Sequence, residues 1–195
     1  METWNLDHFQ VASLLAGSDA TRHPARDHAI AAICLDAGLR RREAVALRMG
    51  DLDTRMWTVS VGSGATHRVI RLGRHSRLAV ENLLGADCGD SGPLLTSRAG
   101  AAVTARVIHE QLSRAGELAD LAGGVTCRHT RRTYMQAIAG THPLPIVMRL
   151  MGHAGDKRHR PASITEALEA QFDDAWVSPL DALMSQARDT VRRAA

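Results

Sequence analysis

Three places in the chain gather basic side chains beside structural punctuation, and all three suit the handling of an oxyanion. The first is Gly38-Leu39-Arg40-Arg41-Arg42-Glu43, a helix break followed by three arginines, in which Glu43 stands three residues after Arg40 and can orient it as a phosphate clamp. The second is Val125 to Tyr134, where Arg128, Arg131 and Arg132 fall at i, i+3 and i+4 and share a helix face, an arrangement for which a core has no use. The third is Leu150-Met151-Gly152-His153, which sets an imidazole just beyond a helix end, where it can donate to an anion or titrate near neutral pH. Because the guanidinium fork binds phosphate bidentately, phosphate leads as the ligand.

The charge pattern agrees. Formal net charge is only +3, yet residues 31–80 carry nine basic against four acidic residues and 121–161 carry seven against one, while the three flanking segments are acidic. Of the 24 basic residues all but Lys157 are Arg. Two basic blocks between acidic ones describe a face that meets a polyanion. The three cysteines, Cys34, Cys88 and Cys127, are widely spaced and include no CxxC pair, so neither a disulfide framework nor a structural zinc site is expected. That usage fits a reducing, cytoplasmic setting, and no stretch has the roughly 18 apolar residues of a membrane span.

The elements that must position these groups are mostly helical. At 195 residues, with 3% aromatics, the chain is expected to form one domain over 1–195 with a core of Leu, Val, Ile, Ala and Met. Apolar spacing predicts helices over 6–15, from Pro24 or Arg26 to Ala37, 41–47, 78–84, 104–116, 129–139, 145–151 with Gly152 as the residue that ends it, 164–176 and 180–193. Loops are expected over Asp87–Pro93 and Asp156–Pro161. The one clear β signal is an alternating pair of runs, Thr58 to Val61 and Arg68 to Leu72, joined through Gly62-Ser63-Gly64: a hairpin. The fold class is therefore mainly α with a small β-hairpin or sheet.

Taken in order, these motifs resemble the catalytic domain of the tyrosine recombinases, the phage integrase family. Arg26-Asp27-His28 through Gly38-Leu39-Arg40, Glu43, Leu47 and Asp51-Leu52-Asp53 looks like the family's first box, and Arg40 falls on its first catalytic arginine. The hairpin, then Leu94-Leu95-Thr96-Ser97, then the 104–116 helix follow in the family's order. Cys127 to Tyr134 resembles the second box and Met151-Gly152-His153 the Leu-Gly-His motif. The second box has two registers: Arg131-Arg132-Thr133 matches the family's Arg-basic-Thr run and puts Arg128 where His is usual, whereas His129 and Arg132 match the literal His-x-x-Arg spacing. The first gives the better spacing to Gly152-His153. The family's N-terminal core-binding domain is not expected here.

The departures from the family bear on the chemistry. On the hairpin turn the family has a Lys that protonates the leaving oxygen, and here Ser63 occupies that place; a hydroxyl does not replace an ammonium. The family's nucleophilic Tyr lies about nine residues after the Gly-His histidine, where this chain has Ala162; an insertion over Lys157 to Ala162 would instead align Leu168 with it. Tyr134, the single Tyr, is a weak candidate for the role, at a place where the family usually has an aromatic packing residue.

What the resemblance implies is thus a DNA-binding, integrase-like protein unable to cleave and rejoin strands in the conventional way. Arg40, Arg131, His153, His129 and Arg128 are its catalytic-site candidates, and Arg40, Ser63, Arg68, Arg131, Arg132 and His153 its phosphate contacts. Duplex DNA is the expected partner, with an active recombinase or a second copy as a further one, and the expected location is the nucleoid. No cofactor, metal or membrane partner is expected. The alternative is a repurposed enzyme that uses the Arg/His anion pocket on a nucleotide or small molecule, with Cys127, His129, His159 or Ser163 supplying new chemistry.

Overall fold

The structure is a computed structural model and describes residues 5–85, 91–155 and 159–194, of Ala194 the backbone only. Parts of the expected loops Asp87–Pro93 and Asp156–Pro161, with Cys88 and Lys157, lie outside the described residues. In chain order the elements are α1 (His8–Asp19), α2 (Pro24–Asp36), α3 (Arg41–Ala46), β1 (Leu52–Asp53), β2 (Thr58–Val61), β3 (Arg68–Arg71), α4 (Arg74–Leu84), α5 (Ala105–Leu118), α6 (Cys127–Ala139), α7 (Leu144–Leu150), α8 (Ile164–Phe172) and α9 (Pro179–Ala194), with short 3-10 turns at Met49–Asp51 and Gly64–Thr66.

The core is organised around α2. Every residue from Ala29 to Asp36 is buried, which is what a helix apolar on all sides requires. Ala29, Ala31 and Ala32 have small side chains, and α1, α4, α5, α6 and α9 all pack against this helix. Leu14, Ile30, Ile33, Leu35, Ile108 and Leu112 fill the space between them, each at most 1% exposed. Pro24 opens the helix at its first turn, where a missing N–H costs nothing.

The sheet is antiparallel in the order β1-β2-β3, with Val59 opposite Ile70 and Val61 opposite Arg68. Alternation buries Val59, Val61 and Ile70, and α7 and α8 pack on β3.

Several boundaries differ from the sequence-based expectation. Helix α1 runs His8–Asp19 rather than 6–15, its last turn carrying a Ser18 hydroxyl that donates to the Leu14 carbonyl at 2.8 Å. Strand β1 is only two residues long and exists through pairing with Thr58 and Val59, so it carries no pattern of its own. Helix α4 begins at Arg74 rather than 78, because the Asp181 carboxylate accepts the Arg74 and His75 N–H groups at 2.6 and 3.0 Å, a cap supplied from over a hundred residues away. Helix α8 stops at Phe172 rather than 176, where the Asp173 side chain takes the Ala175 N–H at 2.8 Å and turns the chain. Among the described residues no helix is long and apolar enough to cross a membrane.

Candidate functional site: an arginine cluster around Glu43

Glu43 is the hub. It sits at the third position of α3, and its carboxylate reaches back to accept the Arg40 N–H at 2.7 Å while Arg40 Nη1 donates to its other oxygen at 2.8 Å. From the opposite side Arg68 donates from Nη1 and Nη2 to the two oxygens at 3.0 and 2.9 Å, a bidentate pair. Arg131 Nη1 stands 3.9 Å away. Burial would raise the Glu43 pKa, but the hydrogen bonds and charge of Arg68 and the donors of Arg40 outweigh it and hold the carboxyl down at about 2.

Arg131 is fixed by main chain. Its Nη1 donates to the Gly38 carbonyl at 2.6 Å, just past the end of α2, and its Nη2 to the Met151 carbonyl, just past the end of α7. Arg40 Nη2 lies 3.5 Å from the Gly152 carbonyl, so both arginines converge on the α7 terminus. Two glycines make the approach possible. Gly38 has φ +55°, and a Cβ there would lie 2.3 Å from the Tyr134 ring; Gly152 has φ +62°, and a Cβ there would lie 2.7 Å from Arg68 Nη1.

His153 follows Gly152 and faces the cluster. Burial lowers its pKa, and the charges of Arg131, Arg40 and Arg68 lower it further, so the imidazole is neutral at pH 7. Arg131 itself is lowered to about 10, first by burial and then by Arg40 and Arg68, and stays protonated. Arg40 and His153 line an open recess of about 600 Å³ with Thr66, Gly152 and His159, against an apolar side of Leu144 and Met148. Three guanidiniums against one carboxylate leave an excess of two positive charges in the cluster, of which Arg40 lines the recess while Arg131 and Arg68 stand behind it. An excess of this sign and size matches a phosphodiester and, more closely, the dianionic phosphorane of phosphoryl transfer.

The structure therefore brings together Arg40, Arg131 and His153. It sets other expected contacts elsewhere. Arg68 is wholly buried and engaged with Glu43, so it supports the cluster from behind rather than meeting a ligand at the surface. Its phase along β3 matches that of buried Ile70, a signal legible in the alternation. Arg128 and Arg132 are exposed on α6. His129 is buried and its Nδ1 accepts the Thr126 N–H at 3.3 Å, a helix-capping position. Ser63 is exposed on the hairpin turn beside a cleft that Arg42 and Glu43 also line. Cys127 lies in the core at the start of α6, a buried free thiol, as Cys34 is on α2. Among the described residues no group of three or more His, Cys, Asp or Glu is gathered to hold a metal.

Tyr134 is fully buried against Gly38, and its hydroxyl has no hydrogen-bond partner among the described residues. Burial pushes its pKa well above the ordinary phenol value. Leu168 lies half-buried on α8, and Ser163 caps that helix by accepting the Glu166 N–H at 3.1 Å. Thr66, Leu144 and Met148 carried no chemical signal in the sequence; they reach the recess because the hairpin turn and α7 meet there.

Among curated proteins the chain is similar to the tyrosine recombinase XerC of Haemophilus influenzae (strain PittEE), 29% identical over 157 residues that make up 77% of this chain and 52% of that protein. It is 30% identical over 158 residues to XerC of Shewanella amazonensis, with the same coverage. The chain thus spans about half the length of the curated relatives it matches. Among solved structures it superposes on XerA recombinase with a TM-score of 0.67 at 17% identity, over 96% of this chain and 63% of that one. On the Tn1549 transposon integrase in complex with transposon right end DNA the TM-score is 0.65 at 17% identity, over 100% and 67%. At those identities the likeness concerns the fold. The model of the phage integrase family matches residues 5–159, well over half of the chain. The chain belongs to the phage integrase family.

Proposed function

We propose that the chain binds duplex DNA at this recess, with Arg40, Arg131 and His153 around one backbone phosphate, and that it does not cleave the strand through a tyrosine. The carrying observation is the contrast within one site: Arg40 and His153 line an open recess, with Arg131 held next to them on the Gly38 and Met151 carbonyls, while the single Tyr is wholly buried against Gly38. A tyrosine recombinase reaction needs a phenolate to attack phosphorus and hold a covalent phosphotyrosyl link. Here Ala162, or Leu168 if 157–162 is an insertion, and Ser63 fall where the resemblance puts the family's nucleophile and hairpin Lys. What remains is anion recognition: Arg40 and Arg131 supply fixed positive charge, and neutral His153 supplies a hydrogen bond. Similar proteins of known structure, the XerH recombinase and the Tn1549 integrase, are described with DNA, which supports the choice of ligand. In this role the chain acts as a regulatory or architectural partner of an active recombinase or of a second copy of itself, held on the nucleoid.

The test pairs a nicked suicide duplex with a salt titration of duplex binding. No denaturation-resistant adduct should form; an adduct that vanishes in Tyr134→Phe overturns the loss of cleavage. Wild-type affinity should fall steeply with salt, and Arg131→Ala should weaken all duplexes alike and lower the log-log slope by about one unit. A second reading, an enzyme acting on a small anionic substrate, draws on His159, which lines the recess beside His153. Absence of duplex binding at low salt would overturn the first reading and favour the second.

A further inference from the structure

A second basic recess lies at the far end of the sheet. Arg71 is three residues beyond Arg68 on β3, about 10 Å along the strand and on the opposite face, toward α8. There a hollow of about 320 Å³ is lined by four arginines, Arg55, Arg71, Arg74 and Arg77, and by the rings of Trp57, Phe172 and Trp176. Two of the arginines are stacked on rings: Arg71 lies 4.6 Å from the Phe172 centroid and Arg77 4.9 Å from that of Trp57. Arg71 is further held by donating from Nη1 to the Gln171 carbonyl at 2.8 Å.

None of the four forms an ion pair among the described residues. The one carboxylate in the lining, Asp181, is engaged by the Arg74 and His75 N–H groups and by the His75 ring, which hold its pKa down at about 2 against the effect of burial. Two further carboxylates stand near but outside the lining, and both cap local backbone: Asp53 takes the Arg55 and Met56 N–H groups at 2.8 and 2.9 Å, and Asp173 that of Ala175 at 2.8 Å. The Asp53 cap and the bond from the Leu72 N–H to the Trp57 carbonyl at 2.7 Å hold Trp57 at φ +52°, a conformation rare for an aromatic residue. The indole is thus presented at the hollow by a turn that is fully bonded on both sides.

We propose that this recess binds a nucleoside phosphate group, the base against the Trp57 and Trp176 rings and the phosphate between the guanidiniums of Arg55, Arg74 and Arg77. Four arginines against the one ionised carboxylate of the lining leave a positive excess that accounts for an anion, and the rings of Trp57, Phe172 and Trp176, the last also stacked on His142 at 5.2 Å, account for a planar aromatic moiety attached to it. A volume of about 320 Å³ suits one such unit. The same chemistry comes from two sources, a free nucleotide or an unstacked nucleotide of a single strand. The assignment is independent of the Glu43 cluster.

Indole fluorescence of the full chain reads the test, in a Trp4→Phe background so that the signal comes from Trp57 and Trp176. AMP should quench saturably, at least tenfold more tightly than either inorganic phosphate or adenosine. Arg74→Gln and Arg55→Gln, both at exposed positions, should each weaken AMP at least tenfold with the circular dichroism spectrum unchanged, and Trp57→Leu should do the same in the Trp176 signal, while Trp57→Phe retains binding. Arg131→Ala should leave it unaltered, which separates this site from the first. Equal binding of phosphate and AMP, equal binding of adenosine and AMP, or no effect of Arg74→Gln and Arg55→Gln overturns the proposal. A single-stranded decamer binding at least tenfold more tightly than AMP identifies a strand as the source; equal affinity identifies the free nucleotide.

Discussion

Glu43 and Asp36 are both carboxylates removed from water, and they behave in opposite ways. Glu43 stands among three guanidiniums and is held at about 2. Asp36, at the end of α2, is wholly buried and forms no ion pair among the described residues; it accepts the Gly73 N–H at 2.7 Å and the Leu180 N–H at 3.3 Å, and the Ser178 hydroxyl adds to these. Burial dominates there and raises its pKa to about 6. Neutral donors can seat a carboxylate in a core, but here only the counter-charge holds the pKa below its ordinary value. One carboxylate therefore organises a charged site, while the other fastens the start of α9 to α2 and α4.

The largest expected effect is at the hub. Glu43→Gln leaves Arg68 buried with no counter-charge and should cost about 3–5 kcal/mol in urea unfolding at pH 7, whereas Asp36→Asn, which removes a strained charge but turns an amide NH2 toward either the Gly73 or the Leu180 N–H, should cost about 1–2 kcal/mol. Equal losses would erase the contrast.

The pH dependence should split the two in sign. The Asp36 pKa is higher in the folded chain than its ordinary 3.8, so its contribution is fully present below about 4 and lost as pH rises through 6, a change of about 3 kcal/mol. The Glu43 pKa is depressed, so its contribution is present above 4.5 and lost as pH falls toward 2. Stability should therefore rise on acidification from pH 7.5 to 5 and fall below 4.5. Asp36→Asn should abolish the rise and leave the fall, and Glu43→Gln should leave the rise and reduce the fall, the remainder of which belongs to Asp181, also held at about 2.

Next in size is Gly38→Ala, which combines a positive φ with a Cβ 2.3 Å from the Tyr134 ring and should destabilise by about 3 kcal/mol in the same assay. The smallest effect is expected for Tyr134→Phe. Removing a buried hydroxyl with no partner should leave stability unchanged or raise it by about 1 kcal/mol, and duplex binding should not change. A loss above about 1 kcal/mol would mean that the hydroxyl has a bonded role.

What could be read in the sequence was local. The i, i+3 spacing of Arg40 and Glu43, the face shared by Arg128 and Arg131, and the glycine before His153 are all set within a turn or two of helix, and their convergence followed from the family resemblance. What could not be read depends on partners far along the chain: the first turn of α4 on Asp181, strand β1 on Thr58 and Val59, and the pairing of Arg68 with Glu43, 25 residues before it. Arg68 was expected as a phosphate contact although its phase with Ile70 in the β3 alternation marked the inner face. Asp36 and the recess around Trp57 drew no notice, since each is assembled from three or more elements that only folding brings together.

The two carbonyls that grip Arg131 belong to Gly38 and Met151, and neither bond involves a neighbouring side chain. Its aim is a property of the chain trace. A lineage that loses its nucleophile loses none of the atoms that orient this guanidinium, and substitutions that drift through the surrounding side chains leave it where it was. An anion cradle built in this way does not depend on the identity of a nucleophile, because its aim is written in the backbone.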